Sequence, residues 1–255
     1  MNIKKILFLL MVISFCILNS FEPRFMITPA ISPAGTDVCF SFLGDLWLVP
    51  VSGGTARRLT AAEGKDWNPA FSPDGEKIVF NSDRDGWTCI YQIPVNGGKA
   101  EVISRDNFLI QSWFPDNKYL LVSRWEPGLS TRFFKLKIKD NTYQEISGFA
   151  GNHGTVSRDG KKIIFDRQGL VYREAYQGSF NGDLWQLDLT KNEYSRLTET
   201  PLTEQYPLFA SIADRIYFTA SDGSDLQLWS AELDEFLQPV KLTKFKNKSV
   251  REPDL

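Results

Sequence analysis

An all-β propeller of four-stranded antiparallel blades, five complete and a sixth begun, is the fold class this sequence predicts. Three observations predict it. Residues 44–60, GDLWLVPVSGGTARRLT, are nearly restated by residues 182–198, GDLWQLDLTKNEYSRLT. The step from the aromatic of that stretch to its closing Thr or Ser is thirteen positions from Trp47, Tyr91, Phe134 and Trp185, and fourteen from Trp229. No run of ten or more residues after the first twenty keeps a helical period.

Each unit supplies four strands in order. A strand–turn–strand pair comes first: PAISPAGTDVCF (29–40), PAFSPDGEKIVF (69–80), SWFPDNKYLLV (112–122), TVSRDGKKIIF (155–165) and PLFASIADRIYF (207–218). Pro-Asp-Gly and Arg-Asp-Gly suit its turn, because Pro presets φ and Gly accepts positive φ. The third strand carries the aromatic and alternates, with Leu46, Leu48 and Pro50 on one face and Trp47, Val49 and Val51 on the other. A turn such as SGG (52–54), NGG (96–98) or KDN (139–141) follows, and the fourth strand ends in RRLT, AEVIS, QEIS, SRLT or VKLT. Four short strands per unit of about 40 to 45 residues are the signature of a propeller blade. The blades run over about 29–66, 67–108, 109–151, 152–205 and 206–250, with a sixth beginning at 251. Trp47 and Trp185, at the aromatic position, are expected between neighbouring blades.

The first twenty residues stand apart. Lys4 and Lys5 precede the apolar run ILFLLMVISFCIL, and Asn19-Ser20 follows. A positive segment before a short apolar one reads as a signal peptide over 1–20, and hence as export to the periplasm or the extracellular space. No second stretch is suited to cross a membrane. Beyond the signal only Cys39 and Cys89 remain, in strand-like runs of different units, and two buried small side chains are the favoured reading over a disulfide. The 255 residues, 42% hydrophobic, suffice for a sizeable core. With 29 Lys+Arg against 31 Asp+Glu, nothing argues for a nucleic-acid partner.

Catalytic chemistry is thinly represented. A Ser-His-Asp triad needs an imidazole, and His153 is the one histidine. It lies in AGNHGTVSRDG where unit two has Asn68. There is no G-x-S-x-G elbow, and one His excludes H-E-x-x-H. SDRDG (82–86) echoes the opening of a calcium loop but lacks its distal bidentate Glu, so it reads as a hairpin turn. No metal and no cofactor is expected. One set of positions stands out for binding: the start of each first strand, read as x-Pro-small-apolar. Thr28, Asn68, Tyr206 and Glu252 precede Pro, and Ile110 and His153 occupy the same slot without it. First strands line a propeller's channel, so these six side chains are candidates to surround its mouth and touch peptides.

The pattern S-P-D-G-x-x-I-x-F, then S-D-R-D-G, an aromatic strand, Gly-Gly and R-L-T resembles the TolB-like propeller repeat over residues 29–255. Unit four also carries VYREAYQGSFNGDLWQLDL (171–189), an insert leading into G-S-x-N-x-D-L-W that resembles the amino-terminal six-bladed propeller of tricorn-type serine peptidases. That resemblance implies a non-catalytic part which gates or guides peptides. The catalytic Ser, His and acid of such enzymes belong to a carboxy-terminal region following two propellers and a PDZ-like domain. Peptides, proteins and downstream peptidase domains of the same parent chain are then the expected partners. Alternatives are an envelope protein-binding scaffold of TolB-like type, or the propeller of an amidohydrolase or a prolyl-oligopeptidase-like enzyme. TolB itself carries an α/β domain before its propeller, whereas unit one here begins just after the signal. REPDL (251–255) aligns with the start of a blade, so a fragment of a longer chain is expected. An unclosed ring exposes sheet faces and edges, and so favours association with other copies.

Overall fold

The computed structural model describes residues 26–126, 130–146, 148, 151–167, 182–210, 215–221, 225–233, 239–246, 249–250 and 253–254. The segment read as a signal peptide, most of the unit-four insert and Glu252 lie outside the described residues. Five four-stranded sheets follow one another along the chain. Blade one is β1 (Ile27–Ile31), β2 (Asp37–Phe42), β3 (Asp45–Pro50) and β4 (Arg57–Arg58). Blade two is β5 (Asp66–Phe71), β6 (Lys77–Ser82), β7 (Cys89–Pro94) and β8 (Glu101–Ser104). Blade three is β9 (Leu109–Trp113), β10 (Tyr119–Glu126), β11 (Ser130–Lys137) and β12 (Thr142–Glu145). Blade four is β13 (Asn152–Val156), β14 (Lys162–Arg167), β15 (Asp183–Asp188) and β16 (Glu193–Arg196). Blade five is β17 (Glu204–Phe209), β18 (Arg215–Ser221), β19 (Leu226–Glu232) and β20 (Val240–Lys241). Every sheet is an antiparallel meander in chain order. The described residues contain no helix.

Local chemistry accounts for these elements. The first turn of a blade is built on serine: Ser32, Ser72 and Ser157 accept through Oγ from the backbone N–H of Asp37, Lys77 and Lys162, at 2.9–3.0 Å. The Gly of the same turn has φ near +70° in each case, at Gly35, Gly75 and Gly160, a conformation open to glycine without steric cost. The Thr that closes a unit is a clasp. Thr60, Thr198 and Thr243 accept through Oγ1 from the N–H of Leu46, Leu184 and Leu228 at 2.8–2.9 Å, satisfying the residue before each Trp. Every blade also sets its aromatic opposite one second-strand residue: Phe40–Trp47, Phe80–Tyr91, Val122–Phe134, Phe165–Trp185 and Phe218–Trp229. The regular spacing in the sequence is this register.

The core lies between blades rather than within one. Strand side chains alternate faces, so the second strands of blades two, three and four each serve two neighbours. Ile78 and Phe80 join Cys39, Leu46 and Leu48 of blade one, while Val79 joins Phe108, Leu120 and Phe134 of blade three. Phe133 and Leu121 of blade three meet Phe165 and Ile163 of blade four, and Ile164 and Leu184 meet Ile216 and Phe218 of blade five. Cys39 and Cys89 sit unbridged in the first of these clusters. By this alternation the aromatic position packs towards the preceding blade. Tyr91, Phe134 and Trp185 do so, but Trp47 has no described blade before it. It is half-buried and packs edge-on against Phe42, and on the same blade Pro29, Val38, Phe40 and Val49 line an open apolar hollow of about 410 Å³.

The blade three–four joint closes through glycine. A Cβ built on Gly151 would stand 2.4 Å from Phe165 Cδ2 and 2.9 Å from Phe133 Cε2, both atoms of buried rings. Gly151→Ala must displace one of two interlocked aromatics. It is expected to cost about 1–3 kcal/mol, as overpacking a filled core does, read as a lower denaturant midpoint.

Candidate functional site

The first strands β1, β5, β9, β13 and β17 adjoin one another in order and form the innermost layer. Four of the six slot residues lie there in the left-handed region: Thr28 (φ 48°), Asn68 (54°), His153 (47°) and Tyr206 (52°). Each sits in a register shift where its strand leaves the ladder, between Ile27 and Ala30, Trp67 and Ala70, Asn152 and Thr155, and Gln205 and Leu208. A bulge of this kind re-aims a side chain. For non-glycine residues it stores about 1–3 kcal/mol each, which the surroundings must hold. Ile110 differs: its φ is not positive, and its side chain is buried in the cluster between blades two and three. Glu252 lies outside the described residues.

Hydrogen bonds from blade to blade hold this layer. Thr28 Oγ1 accepts from Asn68 N–H at 3.1 Å, and Asn68 Nδ2 donates to Asn81 Oδ1 at 3.1 Å and to the Ile110 carbonyl at 2.8 Å. Asn81 Nδ2 donates in turn to the Phe108 carbonyl, and Asn81 Oδ1 accepts from Ile110 N–H. Gln111 Oε1 accepts from Gly154 N–H at 2.9 Å and Ser112 Oγ from Val156 N–H at 3.2 Å. His153 Nδ1 stands 2.6 Å from Asp166 Oδ2, the same oxygen that accepts from Tyr206 N–H at 3.1 Å. The His153 and Tyr206 rings lie 3.9 Å apart between centroids, tilted by 32°. His153 and Tyr206 thus form one half-exposed patch over a buried aspartate.

Asn81 and Asp166 are the residues sequence reasoning missed. They belong to a second repeated position, the polar residue after the second-strand apolar run: Ser41, Asn81, Ser123, Asp166 and Thr219, all buried. The signal is visible in CFSF, VFNS, LVSR, IFDR and YFTA, one polar residue recurring in otherwise apolar strands. Burial obliges such groups to find partners, and they find the first strands of their own and the next blade.

The other groups singled out in the sequence are engaged in the scaffold. Ser72 and Ser157 donate to Asp74 and Asp159 at 2.6 Å within their turns, holding both carboxyls below the usual range. In SDRDG, Asp83 accepts from Lys65 N–H, and Asp85 accepts from the Tyr91 hydroxyl and Arg105. Among the described residues no three His, Cys, Asp or Glu side chains converge as a metal site would require.

One carboxylate is distinctive. Glu204 opens β17, two positions before Tyr206, and is 2% exposed. Its carboxyl accepts from the hydroxyls of Thr200 and Thr198. Burial first, and the charge of Asp183 after it, push its pKa up to about 7. Asp183 is raised as well, by burial. Because the folded value of Glu204 lies above that of the unfolded chain, its protonated form stabilises the fold. That contribution is complete below about 4.3, the unperturbed value, and is lost as pH rises through about 7.

With this geometry in view, the comparisons with known proteins are specific. Tricorn protease homolog 1 of Streptomyces coelicolor is 26% identical over 214 residues, 76% of this chain and 20% of that protein's length. The chain therefore spans about a fifth of that relative. The crystal structure of the tricorn protease superposes with a TM-score of 0.76 at 19% identity, covering 91% of this chain and 24% of that one. A putative TolB from Agrobacterium tumefaciens gives 0.74 at 16% identity, covering 86% and 81%. Residues 23–255 match the family described as the tricorn protease N-terminal beta propeller domain, and the chain belongs to that family.

Proposed function

We propose that this chain is the non-catalytic, substrate-access propeller of an exported tricorn-like serine peptidase, and that it guides peptides towards a catalytic domain elsewhere in the parent protein. The observation that carries the reading is the inner layer. Four side chains of differing chemistry are held out of the ladder in strained backbone at equivalent positions of the inner strands, two of them as the stacked His153–Tyr206 pair. Strain maintained at equivalent positions in blades one, two, four and five marks a surface kept for contact rather than for packing. Family membership adds the peptidase context, and the apolar segment 6–18 behind Lys4 and Lys5 supports export.

Residues 251–255 are read as the first strand of a sixth blade. Asp254 Oδ2 accepts from Ile31 N–H at 2.5 Å. Ser112 Oγ accepts from Val156 N–H in the same relation, the second residue after one slot holding the third after the next. A further blade there would cover the apolar hollow on blade one, and about 40 more residues, one propeller repeat, would complete it.

The experiment combines turnover and binding. Residues 21–255 are expected to leave unstructured fluorogenic peptides uncleaved, yet to bind them saturably by fluorescence anisotropy. His153→Ala with Tyr206→Ala is expected to weaken binding about tenfold or more, as loss of a stacked aromatic contact does. Cleavage abolished by Ser72→Ala or His153→Ala would place catalysis in the propeller and overturn the reading, as would peptide binding indifferent to the double variant. The high coverage of both chains in the TolB superposition favours one second reading, a protein-recruiting scaffold. Binding of folded proteins but not of peptides would support it.

A further inference from the structure

Blades two, three and four each lay a guanidinium over their own aromatic position. The Arg84 Cζ stands 4.5 Å from the Tyr91 centroid and 5.4 Å from that of Phe80. Arg124 lies 4.9 Å from Phe134, and Arg167 5.4 Å from Trp185. In blade two the same guanidinium forks onto buried Asp66 at 2.7 and 2.8 Å, combining a charge-assisted pair with stacking.

Blade five has the ring and the carboxylate but, among the described residues, no arginine over them. Phe218 pairs with Trp229 as Phe80 pairs with Tyr91, and Ser221 N–H donates to the Thr203 carbonyl as Asp83 N–H donates to Lys65. Glu204, Phe218 and Trp229 therefore stand where Asp66, Phe80 and Tyr91 stand in blade two. Arg124 and Arg167 come two positions after the second-strand residue opposite the aromatic; in blade five that position is Ala220. Arg84 comes from the hairpin turn, and the corresponding stretch 222–225 reads DGSD. What occupies the place of the guanidinium is a cavity of about 470 Å³ lined by Thr198, Thr200, Glu204, Phe218, Ala220 and Trp229, among others. Trp229 Nε1 and Asp183 Oδ1 are buried there or nearby with no hydrogen-bond partner.

Two cations stand around this cavity, and neither pairs with Glu204 among the described residues. Arg196 is held by Asp183 at 3.0 Å and Glu199 at 3.1 Å. Lys241 Nζ lies 5.8 Å from the Trp229 centroid. The local balance among Glu204, Asp183, Glu199, Arg196 and Lys241 is negative by one charge once Glu204 is ionised.

We propose that this cavity between blades four and five binds a guanidinium presented in trans, the arginine side chain of a peptide, at the place blades two to four fill from within. The proposal deepens the peptide-guiding reading and rests on it for the source of the arginine. Glu204 stands two positions before Tyr206 on β17, which links the pocket to the His153–Tyr206 patch through one strand. Arginine is selected over lysine because a planar fork both stacks on Trp229 and engages a carboxylate in bidentate fashion. Burial keeps Glu204 protonated to about pH 7, so affinity for a cation is expected to rise as pH climbs through that value.

The test titrates the full chain with N-acetyl-arginine amide, following the Trp229 indole N–H in nitrogen-15 correlation spectra. N-acetyl-citrulline amide, its neutral isostere, and N-acetyl-lysine amide are the comparisons. A saturable shift is expected with the arginine amide at pH 8. Binding should be at least about tenfold weaker with citrulline and at pH 5.5, the loss typical of a charged hydrogen bond. Glu204→Gln should abolish it while leaving the melting temperature at pH 8 unchanged or raised. Ala220→Arg, which supplies the guanidinium in cis, should abolish it and move the Trp229 signal without ligand. Equal shifts with arginine and citrulline, no saturable shift with either, or no pH dependence in the unaltered chain would overturn the proposal even if both variants failed to fold. Retained arginine-amide binding in a chain that ignores peptides would sink the peptide-guiding reading and leave the pocket standing. Peptide binding with no arginine-amide binding would sink the pocket alone.

Discussion

Phe165→Ala is expected to lower the free energy of unfolding by about 3–5 kcal/mol, the cost of truncating a fully buried aromatic. Phe165 is 0% exposed and meets Phe133 of the preceding blade edge-on, with ring centroids 5.5 Å apart. Gly151 closes over both rings, so the space left cannot be refilled by a nearby side chain. Trp47→Ala is the informative contrast. Its ring belongs to the same repeat but is half-buried on the outer face of blade one, so its removal is expected to cost about 1 kcal/mol, a fraction of full burial. Urea midpoints of the two variants decide the matter. Equal losses would mean that the outer face of blade one is covered in solution, by a further blade or a second copy, and sedimentation velocity would distinguish the two.

Arg84→Met should cost about 3–5 kcal/mol as well, by a different route. Asp66 is 2% exposed at its side chain and takes both of its charged contacts from Arg84, itself only 16% exposed. Deleting the cation strands a buried carboxylate, and breaking a buried pair costs far more than the pair contributes net. The double variant Arg84→Met with Asp66→Ala is therefore expected to recover most of the loss. If single and double variants melt together, the destabilisation comes from lost stacking on Tyr91 rather than from the orphaned charge. The Asp66–Arg84 pair and the Glu204 cavity are two outcomes of one architectural position, with an arginine paired to the carboxylate in one and, among the described residues, a cavity beside it in the other.

Much of the fold was legible because it is written in local chemistry. The Ser-Pro-Asp-Gly turn closes through Ser72 Oγ and the positive φ of Gly75, both within six residues. The closing Thr60 clasps Leu46 only fourteen positions away. Five meanders and their register follow from such contacts together with the two-residue alternation of strands. The slot at the start of the first strands was legible as a repeated position, at Thr28, Asn68, His153 and Tyr206, but its left-handed backbone was not. Asn68 is held in that state partly by Thr28, forty positions before it, and by the Ile110 carbonyl, forty-two after it.

The sequence by itself determined the repeat, the strand order within a blade and the shortage of catalytic groups, because each depends on residues close together in the chain or on composition. The tertiary structure alone decided which neighbour each ring meets, so that Trp185 packs on the core between blades three and four while Trp47 packs edge-on against Phe42 of its own blade. It also decided that Asp66 finds an arginine while Glu204 faces a cavity, with its pKa raised to about 7. The physical reason is that burial and charge pairing at each joint are set by the neighbouring blade, about 40 residues away along a propeller chain. Desolvation acts on whatever the neighbour leaves uncovered or unpaired.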